Sequence, residues 1–301
     1  MNPILFSGRS NPGLGRKLSA ALGLEEGRCL IEDFADGEIR IEVKQSVAGS
    51  HVVILQSTAA PAGQNLLEML LLADAVRRRG ARTITLLVPY FGYARQDRRI
   101  IGEEPLGARL MTDLLATRCE RMIAIDLHNA AVEGFASVPL LHLSAVPLLA
   151  KAFRSYRSDL DVLVAPDSGA VRLVQRYADI LKLPVAIIEK IRKSDQHVAV
   201  QAVTGEVKDR SVVLVDDMIS TGGTMVAAIE ELHKAGACRD ITIITSHFLM
   251  AGQACARLEK LPIKRIITTD SVVPQETGSL PIETISLAEI IADALRELKQ
   301  P

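Results

Sequence analysis

The sequence predicts an α/β protein of two similar units, each a mostly parallel sheet flanked by helices, and three observations carry that expectation. Short β-branched apolar runs recur along the 301 residues. Amphipathic stretches long enough for helices separate them, and glycines stand just past the ends of those stretches, where a helix stops. A chain of this length buries about three quarters of its extended surface and suits two domains of about 150 residues, or one large unit.

Taken in order, Glu38 to Val43 alternates Ile39, Ile41 and Val43 with charged residues, the period of a strand with one wet face. It is expected to be an antiparallel hairpin arm near an edge. Gln64 to Arg79 carries a helical apolar pattern ended by Gly80. Thr83 to Val88 and Arg121 to Ile125 are apolar on both faces, as strands covered on both sides of a parallel sheet are. The strand-like Val138 to Leu143 gives way to a helix opening Ser144-Ala145-Val146-Pro147, and the boundary is set there, with units at 1–143 and 144–301. Further buried-strand patterns follow at Asp161 to Ala165, Pro184 to Ile188, Ser211 to Val215, Ile241 to Thr245 and Ile263 to Thr269. A helix at Thr224 to Ala235 ends at Gly236. The final helix, about Leu287 to Leu298, is grouped with the second unit, although its pattern suits packing on either half.

Composition excludes several classes of function. With 35 basic and 36 acidic residues the net charge is -1, so no broad surface for nucleic acid is expected. The absence of Trp and the 3% aromatic content argue against stacking platforms for single strands. Cys29, Cys119, Cys238 and Cys255 form no CxxC pair and suit a reduced cytoplasmic chain better than a disulfide framework or zinc site. The start Met1-Asn2-Pro3-Ile4-Leu5-Phe6 has no basic region followed by a long apolar core, and no segment reaches about 18 apolar residues. A soluble, unexported protein without membrane association is expected.

The sharpest motif is Val212-Val213-Leu214-Val215-Asp216-Asp217-Met218-Ile219-Ser220-Thr221-Gly222-Gly223-Thr224, followed by a helix. A buried strand delivers two carboxylates at its end, and a Ser/Thr/Gly turn then opens the helix. Backbone N–H groups there can wrap a phosphate, the hydroxyls add donors, and glycine permits close approach. The carboxylates suit sugar hydroxyls. Together they describe a pocket for a phosphorylated ribose at the carboxyl edge of a parallel sheet; an ordinary strand-to-helix turn with Asp caps would use the same residue types. A Walker A loop is excluded, since GxxxxGK[ST] does not occur.

This run resembles the phosphoribosyl-pyrophosphate loop of type I phosphoribosyltransferases and of ribose-phosphate pyrophosphokinases, which leaves two chemistries open. Four further segments resemble the pyrophosphokinases and decide between them: Phe34-Ala35-Asp36-Gly37-Glu38, Pro89-Tyr90-Phe91-Gly92-Tyr93-Ala94-Arg95-Gln96-Asp97-Arg98-Arg99, Asp126-Leu127-His128 and Ala165-Pro166-Asp167-Ser168-Gly169. The resemblance spans essentially the whole chain and implies a type I phosphoribosyltransferase-like fold in both units. The implied substrates are ATP and ribose 5-phosphate, and the products phosphoribosyl pyrophosphate and AMP. Arg95, Gln96 and Asp97 are then ATP-binding, with a planar cation and an amide suited to phosphates and base. Phe34, Asp36, Gly37 and Glu38 resemble the adenine-recognition segment that a neighbouring subunit supplies, which implies a homo-oligomer, dimer-based and up to tetramer or hexamer. His128 contacts ATP and, with Asp167, would hold magnesium, an ion that keeps waters and shares substrate phosphates. Asp216, Asp217, Ser220, Thr221, Gly222, Gly223 and Thr224 would bind ribose 5-phosphate. Lys190 and Arg192 resemble the family's catalytic Lys-x-Arg on a mobile loop, with Arg192 also reaching the sugar phosphate.

Three departures qualify the resemblance. Ala170 stands where the family usually has a second glycine, and slight crowding of the sugar pocket is expected. Glu189-Lys190-Ile191-Arg192 is closer to the archaeal-type form, and the end at Pro301 lacks an extra tail that helps form an ADP-inhibited site in other forms, so ADP is expected to act as a competitor of ATP. A phosphoribosyltransferase, or a noncatalytic regulatory subunit, is the alternative reading. Arg95-Gln96 and the two-unit layout oppose the first; Lys190, Arg192, His128 and Asp167 oppose the second.

Overall fold

The computed structural model describes residues 3–99, 102–192 and 199–298, apart from the side chains of 190–192 and 199–201. The chain divides into two compact units, Met1–Ser144 with Ser286–Pro301, and Ala145–Ile285.

The first unit runs β1 (Ile4–Ser7), α1 (Pro12–Leu22), β2 (Cys29–Asp33), β3 (Ile39–Val43), β4 (His51–Leu55), α2 (Ala62–Arg78), β5 (Thr83–Val88), α3 (Gly107–Ala116), β6 (Arg121–Ile125) and β7 (Leu140–Leu143). Five strands form a parallel sheet in the order β1-β4-β5-β6-β7. Alternate residues Phe6, Val52, Ile54, Ile84, Leu86 and Met122 share a core with Met69, Leu72 and Val76 of α2 and Met111 and Leu115 of α3. Residues of the opposite parity, such as Leu5, Val53, Leu87 and Ile123, are also buried. Both faces are therefore covered, which explains the unbroken apolar runs. Helix α1 begins where the Asn11 side chain accepts the Leu14 N–H (3.1 Å) and Pro12 presets the first turn. The expected hairpin arm is β3, paired antiparallel with β2 in a separate two-stranded sheet.

The second unit runs α4 (Val146–Phe153), β8 (Asp161–Ala165), α5 (Val171–Leu181), β9 (Val185–Arg192), β10 (Ala199–Thr204), β11 (Ser211–Ile219), α6 (Gly223–Lys234), β12 (Ile241–Phe248), α7 (Ala254–Leu258), β13 (Ile263–Thr269) and β14 (Ile282–Ile285). Its seven-stranded sheet has the order β10-β9-β8-β11-β12-β13-β14 and is parallel except for the β9–β10 pair. Val164, Leu214, Ile243 and Ile266 pack with Met225, Ile229 and Leu232 of α6. The order reverses at β8: β9 lies on one side of it and β11 on the other. Such a switch point opens a crevice at the carboxyl ends of the two diverging strands.

The last helix, α8 (Ala288–Glu297), corrects the 144–301 grouping, because it belongs to the first unit. It packs on α1, where the Arg296 guanidinium donates to the Ala21 carbonyl. Its buried Ala288, Ile291, Ala292 and Leu295 follow helical spacing. Burial of a side chain such as Ile291 or Leu295 contributes roughly 1.5–3 kcal/mol, which favours keeping this stripe covered.

Two elements differ in length from expectation. Strand β11 continues past Val215 through Asp216 to Ile219, because its ladder with β12 continues at Asp216–Thr245, Met218–His247 and Ile219–Phe248. Strand β9 continues past Ile188 to Arg192 and pairs with β10. Lys190 and Arg192 thus have strand backbone in place of the expected loop, while their side chains lie outside the described residues. Charged side chains end an apolar pattern without ending a hydrogen-bonded ladder.

Candidate functional site

In the second unit, the switch point brings together the exits of β8 and β11. Asp216 and Asp217 are partly buried near the end of β11, and the Asp217 N–H donates to Asp216 Oδ1 at 2.9 Å. Burial raises the Asp216 pKa; the neighbouring Asp217 and Asp167 carboxylates raise it further, because each added negative charge disfavours ionisation. Asp167, just beyond β8, therefore belongs to the same electrostatic cluster. Its Oδ1 accepts the Gly169 N–H (2.8 Å) and the Ala170 N–H (3.2 Å) ahead of α5. Ala170 has φ -80° and ψ -8°, ordinary right-handed backbone, so its local conformation does not require the family's second glycine.

The turn after β11 carries Ser220, Thr221, Gly222, Gly223 and Thr224 into α6. Gly222 is buried with φ +75° and caps the helix without a side-chain hydrogen bond. A left-handed backbone at that point favours glycine, and the first-turn amides of α6 face the end of the helix where an anion is stabilised. Thr221, Gly223 and Thr224 are exposed. Arg257 of α7 braces the turn by donating Nη1 to the Thr221 carbonyl at 3.1 Å. The Ser220 carbonyl accepts the Ala251 N–H at 2.9 Å. These braces come from the segment after β12.

In the first unit, the expected ATP residues leave the carboxyl edge of one sheet. The segment after β5 is anchored by its apolar residues, with Tyr90 and Phe91 at 7% and 3% exposure. Thr58, beyond β4, accepts the Gly92 N–H at 2.7 Å and donates to the Tyr90 carbonyl at 3.1 Å. A Cβ on Gly92 would overlap the Thr58 carbonyl, so this close approach requires glycine. Arg95 and Gln96 are exposed beyond that anchor. Asp97 Oδ2 accepts from Asn129 Nδ2 at 2.5 Å, joining the segment after β5 to the one after β6.

That second segment contains Asp126, Leu127 and His128. Asp126 is 5% exposed with φ +35°, an unusual backbone state for a non-glycine residue. Its amide donates to the Leu143 carbonyl (2.9 Å), and Ser144 Oγ donates to its carboxylate (2.9 Å). The Leu127 N–H donates to His142 Nε2 at 2.8 Å, while His142 Nδ1 faces Glu133 Oε1 at 2.8 Å. The backbone donor fixes Nε2 as acceptor, so Nδ1 carries the proton toward Glu133. His128 follows as an exposed side chain on this braced segment.

Phe34, Asp36, Gly37 and Glu38 form the exposed tip between β2 and β3. The Phe34 N–H donates to the Glu38 carbonyl (2.8 Å), and Gly37 at φ +91° completes the turn. Asp33, just before the tip, accepts both Nη atoms of Arg9 at 2.8 Å. Sequence reasoning missed Arg9, His142, Glu133 and Arg257, whose roles arise from pairing between separate segments without a local pattern.

Two family models match the chain in tandem: the N-terminal domain of ribose phosphate pyrophosphokinase over residues 3–118, and a phosphoribosyl transferase domain over residues 143–281. Ribose-phosphate pyrophosphokinase 2 of Enterococcus faecalis is 37% identical over 300 residues, covering 98% of this chain and 93% of that protein. Ribose-phosphate pyrophosphokinase of Bacillus caldolyticus is 37% identical over 293 residues, with 97% and 93% coverage. The crystal structure of phosphoribosylpyrophosphate synthetase from Mycobacterium smegmatis matches with TM-score 0.92 at 35% identity, over 99% of each chain.

Proposed function

The chain belongs to the ribose-phosphate pyrophosphokinase family, and from that premise we propose that it transfers the β,γ-pyrophosphoryl group of ATP to ribose 5-phosphate. The anomeric hydroxyl attacks the β-phosphorus, AMP leaves in line, and phosphoribosyl pyrophosphate forms for nucleotide biosynthesis. The observation that carries this reading is the Asp216–Asp217 pair at the switch point, directly ahead of the Ser220 to Thr224 turn. The carboxylates accept from ribose hydroxyls, while the turn's amides and hydroxyls take the 5-phosphate. Arg95, Gln96, Asp97 and His128 serve ATP from the first sheet's carboxyl edge, and Phe34, Asp36, Gly37 and Glu38 serve adenine of a neighbouring subunit. Lys190 and Arg192 stabilise the charge that develops on the transferred group.

A divalent metal, assigned as magnesium, supplies neutralisation of the ATP phosphates when bound. The donor chemistry fits, since Asp216 is pushed up first by burial and then by the neighbouring Asp217 and Asp167 carboxylates, a concentration of negative charge that a cation would relieve. Magnesium retains waters and shares substrate oxygens, so few protein ligands suffice. His128 and Asp167 are each assigned to metal binding.

At least a dimer is required by this reading. The half-exposed Phe34 at the tip supports it, as do the exposed Leu67 and Leu71 on α2 and Leu110 and Leu114 on α3. No described helix is long and apolar enough to cross a membrane. The four free cysteines support assignment to the reducing cytoplasm. Incubation of the purified chain with ATP, magnesium and ribose 5-phosphate should yield AMP and phosphoribosyl pyrophosphate in equal amounts. Absence of both products, or activity of a monomer seen by light scattering at assay concentration, would count against the corresponding part of the reading.

A further inference from the structure

Arg9 occupies the loop between β1 and α1, outside every segment assigned above. Its Nε donates to Glu68 Oε2 at 2.6 Å and its backbone N–H to Glu68 Oε1 at 2.6 Å. Glu68 lies within α2 at 2% exposure and also accepts Gln56 Nε2 at 2.9 Å. Gln56 Oε1 in turn accepts the Ser10 backbone N–H (3.1 Å) and hydroxyl (2.7 Å). The base of the guanidinium is thus fixed from a buried carboxylate, and its two Nη atoms point outward.

Both Nη atoms meet Asp33, with Nη1 on Oδ2 and Nη2 on Oδ1 at 2.8 Å each. This is the paired geometry that fixes orientation as well as distance. Asp33 ends β2, and Phe34 follows it directly. The β2–β3 hairpin has its own two-stranded ladder, separate from the parallel sheet, so the direction of its tip depends on contacts with the body of the unit. Arg9 holds the Asp33 carboxyl below the usual carboxylate range. Arg9 and Asp33 are 40% and 53% exposed at the side chain, and an ion pair so exposed contributes little to global stability. Its consequence is positional.

We propose that Arg9 is a positioning residue for ATP use: anchored by Glu68, it grips Asp33 and aims the Phe34–Glu38 tip. This rests on the reading that the tip meets adenine, so the test includes Phe34→Ala beside Asp33→Ala, Asp33→Glu and Arg9→Ala/Asp33→Ala. Misplacement of a binding group by about an ångström can cost as much as a hundredfold, and Asp33→Ala should raise KM for ATP roughly ten- to a hundredfold. Its kcat at saturating ATP, KM for ribose 5-phosphate and Tm should stay near wild type. Asp33→Glu should recover most of the ATP affinity. The double variant should raise KM for ATP no further than Arg9→Ala alone, because both changes break one link.

Arg9→Ala also leaves buried Glu68 without its guanidinium, so its Tm falls; Asp33→Ala keeps that pair and separates positioning from folding. If Phe34→Ala raises KM for ATP while Asp33→Ala does not, the positioning role is wrong and the adenine reading stands. If Phe34→Ala has no effect on ATP use, both are wrong. Parallel losses in kcat, both KM values and Tm in Asp33→Ala would reduce the bridge to a structural contact and overturn the proposal.

Discussion

Asn129 donates its side-chain amide to the Asp97 carboxylate at 2.5 Å, tying the segment that carries Arg95 and Gln96 to the one that carries His128. Both segments leave the carboxyl edge of the first sheet, so one hydrogen bond sets the spacing of two groups assigned to ATP. Misplacement of a binding group by about an ångström can cost as much as a hundredfold, so Asn129→Ala should raise KM for ATP roughly tenfold while KM for ribose 5-phosphate is unchanged. Initial rates with each substrate varied in turn check this, and equal changes in both would argue against the link.

Gln96 offers an independent probe of the same segment. A Cβ added at Gly107 would overlap the Gln96 side-chain oxygen and stand 3.1 Å from its Cβ. Gly107 is the first residue of α3, where the helix itself tolerates alanine. Gly107→Ala should then leave Tm near wild type while displacing Gln96 and weakening ATP binding. Thermal unfolding and an ATP-binding titration separate the two effects; unaltered ATP affinity would remove Gln96 from the ATP site.

The Asp216 shift implies a specific pH dependence. Its folded pKa lies above the unfolded one, so the folded state holds a proton that the unfolded state releases. Stability from this group is greatest below the unfolded carboxylate range and is lost as pH rises toward the raised folded value. Asp216→Asn removes that loss. Its Tm gain over wild type should be larger at pH 8 than at pH 5, by several degrees at about 2–4 °C per kcal/mol for a domain of roughly this size. A uniform gain at both pH values would count against the assigned cause.

Activity at the same cluster should fail on the sugar side. Asp217→Asn and Thr224→Val should impair ribose 5-phosphate use more than ATP binding, because one removes a hydroxyl acceptor and the other a phosphate donor. Direct titration with ATP is the control. A matching loss of ATP affinity would contradict the division of labour.

Lys190 and Arg192 act, on the proposed reading, on one developing charge. Loss of one positioned donor costs about 10²–10³ in rate, so Lys190→Ala and Arg192→Ala should each lower kcat at least a hundredfold with ATP affinity nearly intact. The double change should cost less than the product of the singles. Near wild-type turnover in either single variant would remove that residue from the chemistry.

Much of the fold was legible because burial on both faces writes continuous apolar runs, as at Thr83–Val88 and Asp161–Ala165. Short strands such as β1 and β14, with four residues each, offer too little pattern to stand out. At the second-unit site, Asp216 to Thr224 was legible because strand, turn and helix are contiguous, so local chemistry predicts local geometry. The Arg9–Glu68–Asp33 bridge was not: its residues are far apart in sequence, and each alone reads as an ordinary surface charge. His142 was hidden for the same reason, since its partner is a backbone amide. The length of β9 was underestimated because Glu189, Lys190 and Arg192 look like solvent-facing residues whether the backbone is looped or paired.

The return of α8 to the first unit has a consequence for the order in which the protein is made. During synthesis the whole of Ala145–Ile285 is added to the chain before Ala288–Glu297 exists. The first unit therefore waits through the synthesis of the second without the helix that packs on α1. A nascent chain stalled before residue 286 would display that uncovered α1 face, and the unit translated first cannot close until the chain is nearly finished.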